Sequence, residues 1–104
     1  MDNIKIIVDA GHGGEDPGAL GNNLKEKDLT LQAAKYMNKR LNDLGLKTYM
    51  TRTEDEYLPK NKRIEKIKNE LNPNERIILI ANHINAGGGD VSYCEWLNFC
   101  EYVL

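Results

Sequence analysis

The chain has 104 residues, of which 40% are hydrophobic and 29% are charged, and its net charge is −2. This length favours one domain with a modest hydrophobic core, and the charge gives no general attraction to nucleic acid. No apolar run approaches the ~20 residues of a transmembrane helix, so we expect no membrane span.

The first half of the chain predicts a strand, a loop, a helix and a second strand. An apolar run over residues 4–9 predicts a buried strand, and five glycines, one proline and two asparagines over residues 11–23 predict a loop. Residues 26–43 predict a helix, because apolar side chains recur at steps of three and four positions. Its predicted apolar face comprises Leu29, Ala33, Met37, Leu41 and Leu44. Residues 46–51 alternate in polarity and predict the second strand.

The second half adds another helix and a third strand. Pro59 suits the first turn of a helix, whose inner face is predicted to hold Ile64, Ile67 and Leu71. Residues 76–81 contain four consecutive apolar residues, which predicts a strand covered on both faces. Ser92 and Glu95 have capping-box spacing and predict a short C-terminal helix. The order β-α-β-α-β plus this helix predicts an α/β fold with a mostly parallel sheet and flanking helices.

Three side chains with metal-ligating atoms fall where the carboxyl ends of the strands should meet. His12 lies in the loop after the first strand, and His83 follows the third strand. Glu26 begins the first helix, at the end that faces the same edge, where parallel sheets bind ligands. Two histidines and one glutamate are a familiar catalytic zinc set, and zinc polarises a substrate carbonyl. The sequence therefore predicts a zinc site made of these three residues.

Residues near this edge have assignable roles. Asp9 or a backbone carbonyl is expected to orient a ligand imidazole. Arg52 is expected to cap the local structure or to pair with Asp55, with substrate binding as the alternative. Asn82 and Asn85 either satisfy turns or hydrogen-bond the substrate. The second helix carries basic residues that alternate with acids, which predicts a solvated face. These are Lys60, Lys62, Arg63, Lys66 and Lys68.

The glycine-rich loop does not match other ligand-binding loops. A dinucleotide fingerprint requires glycine at position 16, where this chain has Asp16. A P-loop ends in Gly-Lys-Ser/Thr, and the chain has no such ending. No serine or cysteine sits in a nucleophile elbow. Nucleotide binding and serine or cysteine catalysis are therefore weaker interpretations of the loop than metal binding.

Four motifs carry a resemblance to a known family. They are IVDAGHGGEDPGALG at residues 7–21, KEKDL at 25–29, TR at 51–52 and NHINA at 82–86. These motifs resemble the zinc-dependent N-acetylmuramoyl-L-alanine amidases of the type-3 class, and the resemblance covers about residues 3–90. It implies hydrolysis of the amide between the muramic acid lactyl group and L-alanine in peptidoglycan, as in phage endolysins and bacterial autolysins. It also implies that His12, Glu26 and His83 are the zinc ligands.

The resemblance stops near residue 90, whereas the family's catalytic domains continue with further strands and helices. We interpret residues 1–90 as the N-terminal part of an amidase-like catalytic domain, truncated relative to the family, and residues 91–104 as a divergent aromatic segment. The family's catalytic glutamate lies in the later part. Glu95 and Glu101 match no such motif, so the catalytic residue is unknown. An exposed sheet edge or the aromatic segment is expected to support self-association.

Three functions remain open at this point. The first is zinc-dependent peptidoglycan hydrolysis, and the second is a catalytically impaired metal- or cell-wall-binding fragment that lacks the family's glutamate. The third is a small interaction protein without metal, whose histidines cap loops. The first ten residues show no basic segment followed by an apolar one, which predicts synthesis in the cytoplasm without a signal peptide. Action on the cell wall would then require delivery by another route, such as a phage holin.

Overall fold

The computed structural model describes residues 3–84, which form an α/β fold. The elements in chain order are β1 (Ile4–Ala10), β2 (Leu20–Gly21), β3 (Leu24–Lys25), α1 (Glu26–Asp43), β4 (Lys47–Met50), α2 (Lys60–Asn69) and β5 (Arg76–Asn82). This order confirms the predicted alternation of strands and helices. The predicted C-terminal helix lies outside the described residues. Within them, neither helix has the length and apolar character that crossing a membrane requires.

The main sheet has the strand order β4–β1–β5, and both pairings are parallel. Because β1 is the central strand, both of its edges are paired. Ile7 and Val8, which point to opposite faces of the sheet, have no exposed surface, so both faces of this strand are covered. In the register of β1 and β5, Ala10 lies opposite Asn82. The two strands therefore end side by side, and the loops that follow them leave from the same edge of the sheet.

One face of the sheet is covered by α1 through apolar packing. The buried cluster on this face comprises Ile6, Val8, Ala10 and Ala34. The predicted apolar face of α1 is wrong at two positions. Ala34 is buried and Ala33 is exposed, because the buried stripe follows the step from Thr30 to Ala34, and neighbouring helical residues point about 100° apart. Leu44 lies past the end of the helix and is 64% exposed.

The other face of the sheet is covered loosely by α2, which contains no buried residue. Ile64 and Ile67 of this helix, together with Leu79 of β5, line a pocket of about 450 Å³ between the helix and the sheet. Leu71 was predicted on the inner face, but α2 ends before it and its side chain is 45% exposed. Ile78 of β5 is 47% exposed, so within residues 3–84 this strand is not covered at every position.

A small antiparallel hairpin of β2 and β3 precedes α1, in a region that the sequence predicted as loop. Its turn residues Asn22 and Asn23 have φ values of 50° and 62°. Two-residue hairpin turns need positive φ, and asparagine tolerates this conformation better than most residues. The hairpin leads directly into the helix and thereby places Glu26 at the carboxyl edge of the sheet.

An ion cluster lies at the opposite, amino-terminal edge of the sheet. The Lys5 ammonium is 3.1 Å from Glu70 and 3.2 Å from Glu75, and Lys47 is 3.1 Å from Glu75. The hydrogen bond to Glu70 raises the pKa of Lys5, although burial opposes it. The hydrogen bond from Lys47 lowers the pKa of Glu75. These four residues, the amino-edge cluster, connect β1 and β4 to the segment between α2 and β5.

Candidate metal centre

The three predicted ligands lie together at the carboxyl edge of the sheet. One ligand atom from each of His12, Glu26 and His83 lies within 4.8 Å of the other two. Oε1 of Glu26 is 3.1 Å from Nε2 of His12 and 3.5 Å from Nδ1 of His83. Since zinc binds such atoms at about 2.0–2.2 Å, neighbouring ligands of a tetrahedral zinc are about 3.4 Å apart. The donor set suits zinc, and the two distances from Glu26 to the imidazoles are close to the spacing of zinc ligands.

The imidazole of His12 is oriented by Asp16. Nδ1 of His12 lies 2.9 Å from Oδ2 of Asp16, and this hydrogen bond lowers the pKa of Asp16. An ionised carboxylate only accepts hydrogen bonds, so Nδ1 donates to Asp16, and in the neutral imidazole Nε2 then carries the lone pair that faces Glu26. Two electron-pair donors at that distance require a proton or a cation between them. A carboxylate behind the ring is also the usual partner of a metal-ligating histidine.

Asp9 does not orient an imidazole, so the prediction is wrong for this one of the two groups that it named. Its Oδ1 accepts hydrogen bonds from Thr51 Oγ1 at 2.6 Å and from Arg63 Nη1 at 2.5 Å. Alternate side chains of a strand point to opposite faces, and Asp9 lies on the face that α2 covers. The sequence did hold a signal for Asp16. It opens an Asp-Pro-Gly turn, and its Oδ1 accepts the backbone N–H of Gly18 at 3.1 Å.

The carboxylate of Glu26 is held by the backbone. Its side chain is 5% exposed, Oε2 accepts the N–H of Ala19 at 2.8 Å, and Oε1 accepts the N–H of Ile84 at 2.7 Å. Burial by itself raises the pKa of Glu26. The two backbone hydrogen bonds and the nearby histidines together lower this pKa by more than burial raises it. The resulting pKa lies below the usual value for glutamate. Glu26 therefore offers an ionised oxygen at a fixed position, as a cation ligand must.

Two glycines allow the ligands to approach one another. A β-carbon on Gly18 would lie 2.6 Å from Cδ2 of His12, and one on Gly11 would lie 2.5 Å from Cε1 of His83. Gly18 also has a φ of 70°, which favours glycine. The two imidazoles stand edge to face, with centroids 5.1 Å apart and planes at 84°. The glycines of the loop thus make room for the rings to converge.

Arg52 caps backbone carbonyls at the base of the site. Its side chain is buried, with 1% exposed. It donates hydrogen bonds to the carbonyl oxygens of Ala10, Gly11, Lys27 and Glu54. Pairing with Asp55 is not found, because Asp55 lies 2.8 Å from the ammonium of Lys27 instead. Carbonyls beyond a strand end lack ladder partners, so a multi-donor side chain satisfies them.

The basic run of α2 is only partly solvated, which corrects the prediction. Lys60, Lys62 and Lys68 are exposed, as predicted. Arg63 is 14% exposed and forms an ion pair with Asp9, and Lys66 donates a hydrogen bond to the carbonyl of Thr51 at 2.8 Å. Both side chains lie on the side of α2 that faces the ends of β1 and β4. The charge pattern of α2 did not distinguish these two from their exposed neighbours.

The remaining candidate residues lie at the end of β5 or after it. The carbonyl of Asn82 accepts the N–H of Gly11 at 3.0 Å, so its backbone connects the two loops that carry the histidines. Asn85, predicted to bind substrate, lies outside the described residues. So do Glu95 and Glu101, and with them the whole of residues 91–104.

Comparison with known proteins identifies the family. The sequence model of the Amidase_3 family, which is described as N-acetylmuramoyl-L-alanine amidase, matches residues 6–95 of this chain. The chain belongs to this family. Its three ligand candidates therefore lie in an amidase fold, and the family assignment made from four sequence motifs is confirmed.

Individual members of the amidase family are similar to this chain in sequence and in structure. A sporulation-specific N-acetylmuramoyl-L-alanine amidase of Bacillus subtilis (strain 168) is 41% identical over 88 residues, which are 83% of this chain and 33% of that protein. An amidase structure from Clostridium difficile 630 has a TM-score of 0.75 at 29% identity, covering 86% of this chain and 48% of the other. The amidase AmiC2 of Nostoc punctiforme has a TM-score of 0.72 at 28% identity, covering 84% and 47%. The chain thus spans half the length of these relatives or less.

Proposed function

We propose that this chain binds one zinc ion through His12, Glu26 and His83 and hydrolyses the amide bond between N-acetylmuramic acid and L-alanine in peptidoglycan. The observation that carries the proposal is the convergence of three ligand atoms within 4.8 Å at the carboxyl edge of the sheet. Family membership supports the choice of substrate, because the relatives are named for this amidase activity.

The protein's contribution to the reaction is to hold its ligands in place before substrate arrives. Zinc bound at this position would supply a Lewis acid that polarises the scissile carbonyl. Asp16 fixes the tautomer and ring orientation of His12, and the N–H groups of Ala19 and Ile84 fix the carboxylate of Glu26. Such partners of the ligands reduce reorganisation when the reaction begins.

The pocket beside the ligands suits the groups that flank the scissile amide. His12 and His83 line one part of its wall, and apolar side chains such as Leu58, Ile64 and Leu79 line another part. Apolar walls favour the methyl groups of the lactyl and alanine units. A substrate bound in this way presents its amide to the edge where the three ligands converge.

A second candidate is a metal- and wall-binding protein with slow turnover, and the carboxylates of the pocket favour it. Within residues 3–84, Asp9 and Asp16 are the acids that line the pocket, and both are engaged. Asp9 pairs with Arg63, and Asp16 binds the ring of His12. Neither is free to move a proton to the leaving amine. General acid–base assistance is worth roughly 10²–10⁴-fold, so its absence would leave binding with little hydrolysis.

Three outcomes of one experiment separate these candidates. The purified chain is loaded with zinc and dialysed, its metal content is measured by elemental analysis, and it is incubated with purified cell walls. One zinc per chain with newly released L-alanine amino groups supports the amidase. One zinc per chain with co-sedimentation but without new amino groups supports the binding candidate. A chain without zinc overturns both and favours the metal-free interaction protein.

Removal of one ligand tests the site itself. We expect Glu26→Gln to weaken zinc binding at least about 100-fold, because loss of a metal ligand should cost no less than loss of a residue that supports one. Asp28→Asn is the matched control, since Asp28 lies in the same helical turn, is exposed and loses the same charge. Affinity is measured by competition with a chromophoric chelator. Equal affinity of Glu26→Gln and the unsubstituted chain would refute the proposed ligand set.

A further inference from the structure

His12 has an unusual backbone conformation. Its φ is 64°, in the left-handed region that residues with a β-carbon rarely adopt. Such a conformation persists only where surrounding contacts over-determine it. Because the direction of a side chain follows from its backbone, the groups that hold this peptide also direct Nε2 towards Glu26.

Arg63 of α2 is one of those groups. Its Nη1 donates hydrogen bonds to Oδ1 of Asp9 at 2.5 Å and to the carbonyl of Ala10 at 2.7 Å. Its Nη2 donates to the carbonyl of His12 at 3.1 Å and to that of Leu58 at 3.2 Å. Among the residues described, no other group donates a hydrogen bond to the His12 carbonyl. One guanidinium thus connects α2 to the strand end and to the peptide that follows the ligand.

We propose that Arg63 is a positioning residue for the metal ligand His12. Its planar guanidinium holds four acceptors at once, and a lysine ammonium cannot reproduce that fork. Without it, the peptide after His12 is held only on its N–H side, where Gly13 donates a hydrogen bond to the carbonyl of Asp16 at 2.8 Å. We then expect the unheld carbonyl side to shift and Nε2 to leave the point that it shares with the other two ligands. The inference rests on the zinc site proposed above and assigns to Arg63 a role that acts through the ligand.

The alternative account is that Arg63 only attaches α2 to the sheet. Lys66 distinguishes the two accounts, because it lies on the same helix and contacts Thr51 and Glu56 rather than the histidine loop. Lys66→Gln therefore removes an attachment of α2 and leaves the His12 peptide untouched. Arg40→Lys, at an exposed position of α1, controls for the chemical change from arginine to lysine.

The test compares Arg63→Lys, Lys66→Gln and Arg40→Lys with the unsubstituted chain. Zinc affinity is measured by chelator competition, and the visible absorption of the Co²⁺-loaded chain reports the geometry of the ligands. We expect Arg63→Lys to weaken zinc binding about 10–100-fold, the range typical of residues that orient metal ligands, and to change the cobalt spectrum. The other two variants are expected to keep both properties.

Two results would overturn the inference. The first is unchanged zinc affinity and cobalt spectrum in Arg63→Lys, and the second is an equal loss in Lys66→Gln. Circular dichroism tests whether each variant is folded. If Arg63→Lys does not fold, Arg63→Gln, which keeps a planar amide donor, is tested by the same criteria. If the unsubstituted chain binds no zinc, the proposed function and this inference both fail. If the unsubstituted chain and Arg63→Lys bind zinc equally well, this inference alone fails.

Discussion

The two helices are attached to the same sheet by different interactions. α1 packs through apolar and small side chains, with Ala34 fully buried against β1. α2 has no buried residue, and Arg63 and Lys66 attach it to carbonyl oxygens at the strand ends. The two faces of the sheet therefore have different roles. The α1 face carries the hydrophobic core, and the α2 face leaves a pocket beside the candidate ligands.

The largest effect is expected from breaking the polar attachment of α2. Asp9 is 5% exposed and forms an ion pair with Arg63. Asp9→Ala leaves a largely buried guanidinium without its carboxylate, which we expect to cost about 4 kcal/mol of unfolding free energy. Asp43→Ala is the control on α1, because it removes an exposed pair with Lys39 worth about 0.5 kcal/mol or less. Urea-induced unfolding measures both, and equal costs would contradict the proposed importance of the polar attachment.

A smaller effect on the free energy of unfolding is expected from replacing one isoleucine by alanine on each face of the sheet. Ile6→Ala removes a buried side chain of the α1 face and should cost about 3 kcal/mol. Ile64→Ala, on the pocket side of α2, should cost less than about 1.5 kcal/mol, because its side chain is only partly removed from water. Thermal unfolding of the two variants provides the comparison. A larger loss for Ile64→Ala would mean that α2 packs as tightly as α1.

The smallest effect concerns the amino-edge cluster, which contacts neither the pocket nor the ligands. The pKa of Glu75 is lowered below 4.5 in the folded chain, mainly by the hydrogen bond from Lys47. A lowered folded-state pKa contributes stability above pH 4.5 that is lost as the pH falls through the folded value. The stability advantage of the unsubstituted chain over Glu75→Gln should therefore shrink when melting is measured at successively lower pH. Glu65→Gln, at an exposed position of α2, is the control for removing one carboxylate.

The main elements were predictable because their signals are local. The apolar run of β1 and the three- and four-residue steps of α1 lie within short stretches of sequence, and the helix was predicted with its observed bounds. The β2–β3 hairpin was missed because strands of two residues are too short to show alternation. The adjacent asparagines of its turn were the available signal.

The ligand set was predictable in its placement because parallel strands end at a common edge, which brings His12 and His83 to one side of the sheet. The supporting residues were not predictable in the same way. Arg63 binds the His12 carbonyl across 51 positions of sequence, and helical charge pattern says nothing about such a contact. Asp9, one of the two groups predicted to orient an imidazole, instead pairs with Arg63, and alternation along β1 could have placed it on the α2 face.

The register that sets Ala10 opposite Asn82 has a consequence for chain assembly. A slip of β5 by one residue along β1 would move His83 by about 3.3 Å and turn the side chains of β5 to the opposite face. The backbone ladder would still form, but the second imidazole would no longer point to the other two ligands. Uptake of a metal ion by the three ligands would therefore report that the strands have aligned correctly, and a misaligned chain would be distinguished by its failure to bind.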